Sequence, residues 1–201
     1  MTAQNETATS VTIRPLLASD LEAVVALDRA SSGTSRNGYF EKRLKAAIRQ
    51  PRGHLQLGAC ASDGQLVGFL LARKAGGEYG RAKAAMVLES VAVDAKYISH
   101  GLGQKMLASL EDLMRERDIK NLFTQVEWYN HAMMKFIHRA KFTLAPRLIL
   151  ERPVHRMPLP PTDEEIEAIP PLVRHLRDSD LDAVVRIDSK ITNDNRSEYF
   201  K

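Results

Sequence analysis

The sequence predicts an α/β fold, an α+β mixed sheet, twisted and central, with helices on both faces. Three observations predict it. Short alternating or β-rich runs recur along residues 11–150, helical patterns at spacings of three and four lie between them, and glycine turns divide the two. The most telling stretch is residues 86–113. There Met86-Val87-Leu88-Glu89-Ser90-Val91-Ala92-Val93 leads through Asp94 to His100 into Gly101-Leu102-Gly103. Leu102, Met106, Leu110 and Leu113 then follow at helical spacing. A strand that feeds a glycine turn and a helix start presents free backbone N–H groups at the positive end of the helix dipole, which is an anion cradle.

The elements read as follows, in order. Val11–Leu16 alternates and predicts a strand. Ser19 is the expected N-cap, with Asp20 and Glu22 in the first turn, of a helix carrying Leu21, Val24, Val25 and Leu27. Tyr39–Gln50 predicts a second helix with a basic outer face, stopped at Pro51. His54–Ala61 and Gln65–Arg73 predict strands joined by a Ser62-Asp63-Gly64 turn. Lys83–Val93 predicts a longer strand, and the Gly101 helix runs to about Asp118. Leu122–Glu127 predicts a strand, Asn130–Ala140 a helix and Phe142–Leu150 a final strand. The order is β α α β β β α β α β, with an antiparallel meander at its centre.

Composition bounds the rest. The chain has 201 residues, a formal net charge of +4 and 44% hydrophobic residues, an ordinary soluble balance. No apolar run is long enough for a membrane span, and residues 1–10 are polar and lack the apolar core of a signal peptide. The single cysteine, Cys60, excludes an internal disulfide, reads as a half-buried strand residue and suits a cytoplasmic location. The basic residues are scattered, without a zinc finger or aromatic–basic interleaving, so neither a nucleic-acid nor a membrane partner is expected. His54, His131 and Cys60 have no ligand spacing, so no metal is expected.

The sequence also matches itself. At an offset of 160, residues 13–41 lie over residues 173–201. Twelve of the 29 pairs are identical, among them Arg14/Arg174, Asp20/Asp180, Val24/Val184, Asp28/Asp188, Arg36/Arg196, Tyr39/Tyr199 and Phe40/Phe200. Six prolines between Arg152 and Pro171 mark a stiff linker. The expected organisation is a disordered tail at 1–10, one complete domain at 11–153, a proline-rich linker at 154–171 and a partial repeat at 172–201. That repeat reads either as the start of a second domain or as a segment swapped between two copies, which would make a homodimer.

The glycine turn is not a P-loop, since no Gly-Lys-Ser/Thr follows. It is a poor dinucleotide fingerprint, because Met106 stands where a third glycine belongs. The pattern around it resembles the GNAT superfamily of acetyl-CoA-dependent N-acetyltransferases. That family has a strand ending in Val, a loop written Arg/Gln-x-x-Gly-x-Gly/Ala and a long helix, and here the loop is Ile98-Ser99-His100-Gly101-Leu102-Gly103. Ile98 replaces the usual Arg or Gln. The family's later Asn-x-x-Ala-x-x-x-Tyr-x-x-x-Gly-Phe motif is matched at Asn130 and Phe142. Met133, Ile137 and Lys141 replace its Ala, Tyr and Gly.

The resemblance implies a GNAT-like fold and transfer of an acetyl group from acetyl-CoA to a primary amine of a small molecule or protein, directly within a ternary complex. It implies a cofactor site at Val91, Ala92, Val93, Ile98, Ser99, His100, Gly101, Leu102, Gly103, Gln104 and Asn130. A bulge is expected to splay the strand of Val91 and Val93 from its neighbour, so that pantetheine pairs with the freed backbone. Glu89 is the candidate base, on the same pleat face as Val91 and Val93. Partial burial would suit it to take a proton, and an ion pair with Arg or Lys is the other reading of the same residue. Tyr129 is the candidate acid for the leaving thiolate, with solvent as the alternative; His138 points to the surface. Trp128 wall the pocket with Tyr129 or packs. Arg36, Tyr39 and Phe40 line the acceptor side or anchor the second helix. Because Ile98 and Ile137 stand at polar family positions, a catalytically weakened CoA-binding sensor or interaction module is the rival reading.

Overall fold

The computed structural model describes residues 11–76, 84–151, 174–193, 195 and 197–200. Two compact units divide the chain, Met1–Ala140 and Lys141–Lys201. The expected tail at 1–10 and linker at 154–171 lie outside the described residues, as does Lys83 at the start of the predicted long strand.

The first unit is built on a five-stranded mixed sheet in the order β1-β2-β3-β4-β5. The strands are β1 (Thr12–Pro15), β2 (His54–Cys60), β3 (Leu66–Ala75), β4 (Ala85–Val93) and β5 (Leu122–Phe123). Pairings from β1 to β4 are antiparallel, and β5 joins β4 in parallel. A parallel pair needs a crossover, which α3 (Leu102–Glu116) supplies, so the helix must start beside the C-terminal end of β4. The β2–β3 turn closes as its residues predict. Gly64 takes the left-handed φ of 84° that glycine tolerates, and the Asp63 carboxylate accepts from the Gln65 N–H at 2.9 Å.

Two helices cover one face, α1 (Leu21–Ser32) and α2 (Asn37–Arg49). Val24, Phe40 and Leu44 from these helices pack with Phe69, Leu71 and Ala92 from the sheet. The other face receives α3, whose Met106 and Leu110 are fully buried. Cross-strand partners share a face, so Phe69 and Ala92 point to α1 and α2. Gly68 and its partner Val93 point to α3, and a Cβ at Gly68 would lie 3.2 Å from Met106 Cε.

Several expected boundaries change. Ser19 is not the N-cap: residues 18–20 form a 3-10 turn. The Asp20 carboxylate does the capping work, accepting from the Leu17 N–H at 2.7 Å and from both terminal nitrogens of Arg14 at 2.7 and 2.9 Å. Cys60 is buried, not half-buried. The strand expected over 122–127 pairs only at Leu122 and Phe123, because the Thr124 hydroxyl occupies the Leu88 carbonyl at 3.1 Å and the chain then departs. The helix expected over 130–140 is α4 (His131–Arg139). Residues 142–150 form no regular strand. Pro146 removes a donor from the middle of the run, and Leu144, Leu148, Ile149 and Leu150 are exposed.

The second unit repeats the opening of the first in local structure. A 3-10 turn at Asp178–Asp180 leads into α5 (Leu181–Thr192), and α6 (Ser197–Phe200) follows. Arg174 grips Asp180 at 2.7 and 2.8 Å, and the Arg177 N–H donates to Asp180 at 2.9 Å, as at Arg14, Asp20 and Leu17. The left-handed Asn193 stands where Gly33 closes α1.

Candidate functional site

The site begins with a register slip. Leu71 on β3 faces Ser90, but Ala72 faces Leu88, so Glu89 is an extra residue on β4. A bulge of this kind bends the strand and ends regular pairing beside it. On the other side, β4 pairs with β5 only at Met86 and Val87. From Glu89 to Val93 the β5-facing edge of β4 therefore has no ladder partner among the described residues. The Asp94 N–H bonds to the Val67 carbonyl at 2.8 Å, which sets the phase of the ladder. Asp94 and Ala92 turn their N–H groups toward β3, whereas Val91 and Val93 turn theirs to the open edge. Of the three expected strand ligands, Val91 and Val93 are thus presented and Ala92 is not; its backbone serves β3 and its side chain the core.

From the end of the open edge, residues 94–101 lead to the start of α3. Gly101 precedes the helix with φ 74°, and Ser99 is also left-handed at φ 69°. The first helical bond of this end runs from the Lys105 N–H to the Gly101 carbonyl at 3.0 Å. That leaves the N–H groups of Leu102, Gly103 and Gln104 in the first turn, where an anion meets both free donors and the positive dipole end. Ile98, Ser99, His100 and Gln104 are exposed, and the His100 ring holds the Ile98 carbonyl at 3.0 Å. The Leu102 side chain is buried, so only its backbone can reach a ligand. Gly103 has a second reason to be glycine: a Cβ there would lie 3.0 Å from Phe136 Cε2 on α4.

Glu89 lies on the opposite face from the one predicted. The bulge interrupts the alternation, so Glu89 points with Ser90 and Ala92 toward α2, away from Val91 and Val93. Its Oε1 accepts from Arg43 Nη2 at 2.7 Å and from Arg73 Nε at 2.9 Å. The ion-pair reading of this residue is therefore realised, and the half-buried carboxylate stands at the bulge itself. Beside it, Arg36 bonds both oxygens of the buried Asp28 and reaches Ser90 Oγ at 3.5 Å. The Arg36 guanidinium lies 5.2 Å from the Tyr39 ring and 5.1 Å from the Phe40 ring, and Arg43 lies 5.2 Å from Tyr39. Tyr39 and Phe40 meet edge to face at 5.1 Å.

The remaining expected residues fall outside this arrangement. Asn130 caps α4, its Oδ1 accepting from the Met133 N–H at 3.0 Å, so the side chain is spent on the helix. Tyr129 and Trp128 are largely exposed in the turn before α4, and Ile137 is half-buried. No group of three or more metal-ligating side chains occurs among the described residues. Sequence reasoning missed Arg43 and Arg73 as partners at the bulge, because Arg43 reads as part of the basic outer face of α2.

The family model described as the acetyltransferase (GNAT) family matches residues 21–142, well over half of the chain. The chain belongs to the GNAT family of acetyltransferases. Solved GNAT structures share its fold. An aminoglycoside antibiotic 6'-N-acetyltransferase from Acinetobacter baumannii aligns with a TM-score of 0.62 at 17% identity, over 72% of this chain and 98% of that one. A ribosomal-protein-alanine N-acetyltransferase from Brucella melitensis biovar Abortus aligns with a TM-score of 0.57 at 21% identity, over 71% and 99%. An N-acetyltransferase from Thermoplasma acidophilum, solved in complex with coenzyme A, aligns with a TM-score of 0.55 at 22% identity, over 68% and 91%. No curated protein sequence matches significantly. The GNAT match runs from residue 21 to residue 142 and does not extend to the repeat at 172–201. As a GNAT member the chain is an acyltransferase, and no helix among its described residues is long and apolar enough to cross a membrane.

Proposed function

We propose that this GNAT chain transfers an acetyl group from acetyl-CoA to a primary amine by direct transfer. The observation that carries the proposal is the coincidence of an unpaired β4 edge, Val91 and Val93, with the free N–H groups of Leu102, Gly103 and Gln104 at the start of α3. Pantetheine pairs along the edge like a strand, and the pyrophosphate sits at the helix end with the Ile98–Gly101 turn around it. The β4 backbone N–H polarises the thioester carbonyl. The acceptor approaches from the α2 face, so the two substrates meet in the gap from opposite sides of the sheet.

In the transfer step the amine nitrogen forms a bond to the acetyl carbon, the C–S bond breaks and the sulfur takes the electron pair. The amine's proton passes to the Glu89 carboxylate, directly or through water, and the thiolate takes a proton from the Tyr129 hydroxyl or from solvent. Amine-dependent release of CoA thiol from acetyl-CoA tests this; release at the same rate with and without every amine offered contradicts it.

The second reading, a CoA-binding sensor, is favoured by Ile98 and Ile137 at family polar positions and by the double clamp on Glu89. Thermal stabilisation by acetyl-CoA without amine-dependent turnover would select it. The proposal places the protein in the cytoplasm, which one free cysteine suits. It also treats residues 172–201 as a second GNAT-like beginning or as a segment exchanged between two copies. A monomer by light scattering excludes the exchange.

A further inference from the structure

We infer that Thr124 is a positioning residue for acetyl-CoA: its hydroxyl ends the β4–β5 ladder just before the bulge and so keeps the Val91 edge open. This rests on the cofactor seat proposed above. The phase of the ladder shows what the hydroxyl replaces. The Met86 N–H donates to the Asn121 carbonyl at 2.9 Å, and Met86 stands opposite Leu122. Parallel rungs repeat every second residue, so Leu88 is the next β4 residue to face β5. A continuing ladder would bring the Gln125 N–H to the Leu88 carbonyl. The pairing stops instead at Val87 and Phe123, and the Leu88 carbonyl accepts from Thr124 Oγ1 at 3.1 Å. A side-chain donor has replaced the main-chain donor of the next residue. The buried carbonyl is satisfied without another residue of β5 laid along β4.

The place of this bond gives it a consequence. Leu88 is the residue before Glu89, the extra residue of the bulge. Met86 and Leu88 face β5, and the extra residue passes that direction to Val91 and Val93. Two devices therefore flank one point. The bulge turns the Val91 N–H to the β5 side, and the Thr124 bond keeps β5 from following β4 to meet it. An edge already paired with a strand has nothing left to offer an extended ligand such as pantetheine. Thr124 is half-buried and β-branched, so its hydroxyl has few alternative positions.

The experiment compares Thr124→Val and Thr124→Ala, which lack the hydroxyl, with Thr124→Ser, which keeps it. Two quantities are read: amide exchange at Gln125 in the free protein, and the Kd of acetyl-CoA by calorimetry. The inference predicts that in Thr124→Val and Thr124→Ala the Gln125 amide exchanges about fivefold more slowly, because it takes over the Leu88 carbonyl. It predicts acetyl-CoA Kd about fivefold higher in both, the size of one net hydrogen bond. Thr124→Ser should stay within about twofold of wild type on both readouts. A hydroxyl with a structural role alone would lower the melting temperature, speed Gln125 exchange and leave Kd unchanged. Gln125 exchange that is unchanged or faster overturns the inference, as does a Kd within twofold of wild type in both hydroxyl-free variants. Failure of the wild type to bind acetyl-CoA is a different result: it removes the cofactor seat itself, whatever Gln125 does.

Discussion

Replacing Glu89 by glutamine separates the counter-ion role that its ion pairs show from the base role proposed for it. As a counter-ion, Glu89 accepts charged hydrogen bonds from Arg43 at 2.7 Å and Arg73 at 2.9 Å on one oxygen. Each such bond is worth about 1.5–3 kcal/mol when buried. The guanidiniums are about one-third exposed, so water recovers part of that, and a glutamine carbonyl in the same place still accepts from both, without the charge. The expected cost is about 2 kcal/mol, or roughly 4–8 °C in melting temperature for a unit of this size. If it is the base proposed above, Glu89 supplies about 10²–10⁴-fold to the chemical step. Steady-state thiol-release kinetics and a melting curve on one preparation read the two effects apart. The combined role predicts that Glu89→Gln lowers kcat by at least about 10² with acetyl-CoA affinity retained. A kcat within threefold of wild type, beside the expected loss of melting temperature, would refute the base and leave a counter-ion alone.

Other outcomes follow from the same geometry. Gly101→Ala places a side chain at φ 74°, which costs about 1 kcal/mol and distorts the turn, so calorimetry should show acetyl-CoA binding weakened several-fold. Gly103→Ala brings a Cβ to 3.0 Å from Phe136. It should lower the melting temperature, and the loss should shrink in a Phe136→Leu background if the contact is its cause. The bonds from Arg14 hold the Asp20 carboxyl below its ordinary value of 3.8, and the Leu17 N–H adds to the effect against the opposing cost of burial. A lowered carboxyl stabilises the fold above its unfolded pKa, and that contribution disappears as pH falls through the folded one. Asp20→Asn should therefore cost about 1–2 kcal/mol at neutral pH in denaturant titrations, with the gap to wild type closing below pH 3.8. A gap that stays constant to pH 2 contradicts that assignment.

Much of the frame was legible because it is periodic. The alternating strands, the apolar spacing of α3 and the glycine at residue 101 each state a local preference that the tertiary structure keeps. The bulge was expected from the resemblance, but its position is a property of pairing between two strands, and one strand's pattern does not expose it. Counting alternation through Glu89 as if β4 were regular put that side chain on the wrong face. Arg43 was hidden for a related reason: a helix's polar stripe gives no sign of which charge will find a partner on the sheet beneath it. The recurrence of Arg36, Tyr39 and Phe40 at Arg196, Tyr199 and Phe200 marked three residues that pack together on the α2 side of the bulge. The run at 142–150 was apolar enough for a strand, yet apolar alternation with Pro146 at its centre did not supply a partner. Asn130 was correctly placed at a helix start, and its capping bond shows why an asparagine suits that position.

Amide hydrogen exchange with and without saturating acetyl-CoA reads the proposed cofactor seat residue by residue. If the open edge and the helix end hold the cofactor, the amides of Val91, Val93, Leu102, Gly103 and Gln104 slow on binding, while Ala92, already bonded to β3, changes less. At a ligand concentration about a hundredfold above Kd, the same sample should gain about 2.7 kcal/mol of stability. Stabilisation with protection confined to other amides, or no stabilisation at all, would show that this edge is not where acetyl-CoA binds.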